Sequence, residues 1–144
     1  MLGIQELESA VCNMVVEDVL GRVRDAVTAP YALHDLLIRY FRCMRDLQKS
    51  LCAMVPLFVD SSGGPDNLEE FARQFCRETV EMIVKMLENA AQKGEIAVRE
   101  DYHTAALILL SIANPIYTEG VCISMTDYEQ TAEFFLRALE AKTI

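Results

Sequence analysis

The chain is poor in positive charge: thirteen Lys and Arg stand against twenty-two Asp and Glu, leaving a formal net charge of −9. Such a surface repels the phosphate backbone that supplies most non-specific nucleic-acid affinity, so these residues alone are not expected to hold DNA. Arg39, Arg42 and Arg45 come nearest to a basic cluster, but they follow helical spacing and read as one solvated stripe. Long apolar runs are also lacking. The longest, Thr104 to Tyr117, is shorter than a bilayer span and carries Asn114 and Pro115 near its end, so no membrane partner is expected. The segment Met1 to Glu6 has neither the basic start nor the long apolar stretch of a secretion signal. Cys12, Cys43, Cys52, Cys76 and Cys122 are odd in number, widely spaced and form no C-x-x-C pair, which argues for reduced thiols in a soluble, cytoplasmic protein.

What the chain has in abundance is apolar residues: they make up 52% of its 144 positions. That excludes a disordered chain and leaves more apolar surface than a small monomer easily hides, so self-association is expected. The length suits one compact domain over residues 1–144 without disulfide or metal staples.

Apolar residues recur at three and four positions from one end to the other, and no alternating pattern is sustained, so the chain reads as all-α. A first helix is expected from about Gln5 to Val27, with Leu7, Val11, Val15, Val19 and Val23 on one face and Cys12, Val16 and Leu20 beside it. Thr28-Ala29-Pro30 stops that helix and starts a second, because proline fits the first turn of a helix. Leu33, Leu36, Leu37, Tyr40, Phe41, Met44 and Leu47 give this second helix a broad apolar face, which continues until Pro56 interrupts it. A short further helix over Gln48 to Phe58 is plausible on the same grounds. Ser61 to Pro65 is a loop, after which Asp66, with Glu69 three residues on, forms a capping box for a long helix that Gly94 ends at its C′ position. Asp101 caps a further apolar helix that Pro115 kinks or ends, and Thr126 with Glu129 opens a terminal helix bearing Ala132, Phe135, Leu136 and Leu139 on one side.

The order of these elements and several phrases resemble the C-terminal domain of TetR-type bacterial transcriptional regulators. Ile4 to Val11 looks like the helix that links the family's DNA-reading head to its sensor domain, and Leu87 to Ile96 resembles the end of the family's long helix with its Gly-Glu turn. Asp101 to Gly120 and Thr126 to Ala141 are similar to the last two helices. The resemblance implies a bundle of about five to six helices that dimerises through its last two, with the helix-turn-helix head outside these residues.

It also implies a cavity among the first, second and long helices that takes a small apolar or amphipathic effector. Tyr40, Met44, Met54, Phe58, Phe75, Thr79 and Met82 are the residues that would line it. Methionine and aromatic side chains make an adaptable wall, while Tyr40 and Thr79 would fix a polar group. The competing reading of such a stripe is plain core. For dimerisation, Ala105, Leu109, Ile112 and Ala113 would meet Phe135, Leu136 and Leu139 and their two-fold copies in one apolar seam. Both helices also carry apolar residues on other sides, at Leu107, Leu110, Phe134 and Ala138, so they have more than one surface to cover.

Nothing in the sequence points to an enzyme, a metal or a cofactor. His34 and His103 have no partners at metal-ligand spacing, and their neighbours Asp35 and Asp101 stand where helical side chains do not face one another. Cys122, in the connector between the last two helices, is the least implausible redox thiol. The expectation is a homodimeric effector-binding domain that controls DNA binding through a head outside this chain. The alternative is a stand-alone helical interaction protein that heterodimerises with a complete regulator.

Overall fold

In the computed structural model, the backbone is described for residues 4–60, 64–113 and 128–140, and side chains for 14–50, 69–113 and 128–140. These residues form five helices and no strand: α1 (Ile4–Val27), α2 (Leu33–Asp60), α3 (Gly64–Gln92), α4 (Tyr102–Ile112) and α5 (Tyr128–Glu140). The all-α reading is therefore correct. No helix among the described residues is long and apolar enough to cross a membrane.

α1, α2 and α3 pack pairwise against one another, and their apolar stripes close the centre of the bundle. Val16, Val19, Leu20 and Val23 of α1 meet a core built from Leu33, Leu37, Phe41, Met44 and Leu47 of α2 and Phe71, Phe75, Ile83 and Leu87 of α3. These residues recur every three or four positions, so each helix turns one continuous face inward. The two short helices are added outside this layer, α4 against α3 and α5 against α2.

Three boundaries differ from the sequence expectation. α2 starts at Leu33 rather than at Pro30, because the backbone bends through residues 28–31 before it turns helical. The expected short helix over Gln48 to Phe58 is instead part of α2, which runs through Pro56 to Asp60. Proline removes the one amide that would bond the carbonyl four residues earlier, while the turns on either side keep theirs. α3 starts at Gly64, so Asp66 falls within its first turn rather than before it. The Thr126 capping box lies outside the described residues.

The end of α3 matches the expectation closely. Gly94 has φ +79, and it is the one described residue with a positive φ. The Gly94 amide donates to the Ala91 carbonyl at 3.1 Å and the Glu95 amide to the Ala90 carbonyl at 2.9 Å, the paired bonds of a Schellman turn. The turn also aims the Glu95 side chain. Its Oε1 accepts from the Leu33 amide at 3.2 Å, so a residue after α3 satisfies one of the open donors at the start of α2.

Space is not limiting at Gly94, because a Cβ there would meet nothing within 4 Å. The cost of Gly94→Ala is therefore conformational, about 1–2 kcal/mol for an L-residue held in the left-handed region. Urea unfolding should show that loss, with Glu95→Ala losing about 1 kcal/mol through the missing cap.

Candidate functional site

Tyr40 and Thr79 stand out in a core that is otherwise apolar. Both are 0% exposed, and neither the Tyr40 hydroxyl nor the Thr79 hydroxyl has a hydrogen-bond partner among the described residues. A helical threonine commonly bonds the carbonyl one turn back, and here that bond is not made. An unpaired buried polar group costs roughly 1–3 kcal/mol, so the pair is an expensive feature.

The two residues come from helices that pack on each other, Tyr40 from α2 and Thr79 from α3. Burial is the main cause that raises the Tyr40 hydroxyl far above the ordinary phenol range, followed by the charges that the Cys43 and Cys76 thiols acquire when ionised. Phe41 meets the Tyr40 ring edge-on with centroids 5.7 Å apart, and Phe71 stacks on Phe75 at 6.3 Å. Among the expected cavity residues, Tyr40, Met44, Phe75 and Thr79 are thus sealed in the core, and Met82 is half-buried at its edge. Met54 and Phe58 belong to α2, but their side chains lie outside the described residues.

The second feature is a surface groove. No Cα of α4 comes within 8 Å of one in α5, because each helix is committed to a different partner below. The gap holds about 750 Å³, and its lining includes Ala105, Ile112, Phe135 and Leu139 from the expected dimer seam. Its walls also include Ile108, 52% exposed, and Phe134, 76% exposed. Leu109 and Ala113 are buried and Leu136 is half-buried, and none of these three lines the groove.

Arg99 closes one end of this groove. Its Nη1 donates to the Leu139 carbonyl at 2.6 Å and the Ala138 carbonyl at 3.4 Å, which satisfies open acceptors at the end of α5. Its Nε and Nη2 donate to the two Asp101 carboxylate oxygens at 2.7 and 3.0 Å. These bonds to the guanidinium hold the Asp101 carboxyl below its ordinary range. Asp101 precedes α4 as expected, yet it makes no side-chain cap bond because Arg99 engages its carboxylate. At its other end α5 rests on α2, where Tyr128 stacks with Phe41 at 6.4 Å and accepts a bond from Arg45 at 3.2 Å.

Other features are less developed. A shallower groove of about 580 Å³ between α3 and α4 has Val80, Val84 and Leu107 among charged rim residues. His34 contacts Asp35 at 3.5 Å on an exposed turn, His103 is exposed, and no metal-holding group of three or more ligands occurs among the described residues. Burial, with a contribution from Asp46, pushes the Cys43 thiol up to about 11. The side chains of Cys12, Cys52 and Cys122 lie outside the described residues.

Sequence reasoning did not single out Ile108, Arg99 or Glu95. Ile108 was hidden because α4 is apolar on every side, so periodicity does not show which face is outward. The roles of Arg99 and Glu95 depend on contacts about forty and sixty residues away in sequence, and no local pattern encodes these.

The folded state favours the neutral Cys43 thiol, so this group contributes stability below the ordinary thiol pKa and loses it as pH rises toward about 11. Alkylation of native protein by iodoacetamide, followed by peptide mapping, should modify Cys43 at pH 8 at least about tenfold more slowly than in the urea-unfolded chain. No family model matches the chain, and no curated protein or solved structure is similar to it.

Proposed function

We propose that this chain is the effector-binding and dimerisation domain of a TetR-type transcriptional regulator, working in the cytoplasm. In this reading it senses a small apolar or amphipathic molecule and controls DNA binding by a head outside these residues. The observation that carries the proposal is the outward apolar surface of the last two described helices. Ile108 and Phe134 are exposed on α4 and α5, around a groove that neither helix fills. A second copy related by a two-fold axis places its own Ile108 and Phe134 against the same groove, so one patch serves both sides of the interface. The net charge of −9 supports leaving DNA contact to another segment.

The effector role draws its support from Tyr40 and Thr79, two buried hydroxyls on α2 and α3 without a partner among the described residues. An effector changes the output only if it binds the two arrangements of the dimer with different affinity. α1 packs on both α2 and α3, so it is the element placed to pass a shift in that layer toward a head. The same exposed face also fits a related but complete regulator, which is the heterodimer reading.

Sedimentation velocity tests the seam. The wild-type chain should sediment as a dimer, and Ile108→Glu with Phe134→Glu should weaken association on the order of thirtyfold or more while circular dichroism keeps its helical signal. A wild-type monomer would remove the homodimer reading and leave the heterodimer one.

A further inference from the structure

We infer that the groove between α3 and α4 is a second self-association face, on which two copies of this chain pair their α3 helices antiparallel about a two-fold axis. This face is separate from the α4–α5 groove: Ile108 lines that one, whereas Leu107 lines this one.

The charges along α3 are the ground for the inference. Arg77, Glu81, Lys85 and Glu88 all line the groove of about 580 Å³, and all are exposed. At about 100° per residue they fall within roughly a quarter of the helix circumference, so they form one ridge. Their spacing suits ion pairs along a single helix, of the kind that Arg22 makes with Asp18 and Arg73 with Glu69. Yet none of the four has an ion-pair partner among the described residues. Their charges are left facing outward.

From Arg77 to Glu88 the ridge runs positive, negative, positive, negative, and an antiparallel copy presents the reverse order. Arg77 then stands opposite the partner's Glu88, and Glu81 opposite the partner's Lys85. The first pair is centred between residues 82 and 83 and the second on residue 83, so one register forms both. Two-fold symmetry repeats each pair on the other side of the axis. A parallel copy sets like charge against like at every position, so the ridge selects direction as well as partner. A helix of another protein would need this same pattern in reverse, whereas a second copy of the chain supplies it.

Beside the ridge, Val84 is half-buried and Leu107 is 45% exposed, and a partner helix along the ridge covers this apolar strip. With the α4–α5 seam also in place, each chain carries two isologous faces, and assembly proceeds past the dimer.

Sedimentation velocity over a concentration series tests this in the chain carrying Ile108→Glu with Phe134→Glu, where the α4–α5 seam contributes nothing. That chain should still show a monomer–dimer equilibrium. Adding Glu81→Lys should weaken it about tenfold, because the new lysine faces the partner's Lys85 on both sides of the axis. The same change makes an acidic chain less negative, which through general repulsion alone would strengthen association, so the two explanations predict opposite signs. Glu81→Lys combined with Lys85→Glu exchanges the signs within each pair and should recover the original affinity. An equimolar mixture of the two single variants should also pair, since one copy is then positive and the other negative at both positions. If circular dichroism shows that the seam variant does not fold, the same charge variants of the wild-type chain carry the test, read as loss and recovery of the largest species. A folded seam variant that stays monomeric throughout the series overturns the proposal and leaves the ridge to a different protein. So does a Glu81→Lys chain that associates as well as its parent, or a double exchange that fails to restore association.

Discussion

The packing of α2 against α3 is the contact on which the rest of the structure depends. These are the two longest helices, and each carries an apolar face broad enough to serve more than one neighbour. α1 lies against both, α4 takes the free side of α3, and α5 takes the free side of α2. Glu95 strengthens the same pairing from outside, since the turn that ends α3 caps the start of α2. Loosening this central layer would therefore disturb every other element, whereas α4 and α5 each depend on a single helical partner.

That arrangement separates two kinds of surface. Inside the layer, Tyr40 and Thr79 are polar groups in a setting that rewards apolar ones, and their cost is borne by the folded state. Outside it, α4 and α5 expose large apolar side chains to water, which is a cost of the opposite sign in chemistry though similar in kind. Both depart from the rule that each residue agrees with its surroundings.

Much of the fold was legible in the sequence because helices announce themselves locally. Val16, Val19 and Val23 give α1 its inward face, and Gly94 gives α3 its end, since glycine alone takes a positive φ without strain. Pro56 misled for the same local reason: its missing donor was weighed without the helix on either side of it, and α2 continues past it. The groove was legible in part. Phe135 and Leu139 do line it, but Leu109 is buried, because the tertiary choice of α3 as the partner for α4 decided which side of a mostly apolar helix was left outside.

Arg99 and Tyr128 together give α5 an unusual mounting. One end is tied by carbonyl oxygens to the guanidinium of a residue before α4, and the other lies on α2 through a stacked ring and the Arg45 bond. The helix is thus a beam on two unlike supports, one moving with α2 and the other with the approach to α4. Were α2 to slide relative to α3, it would carry the first support and not the second, and the beam would pivot about Arg99. A small displacement deep in the bundle would then become a change of angle at the surface, largest at the end farthest from the pivot.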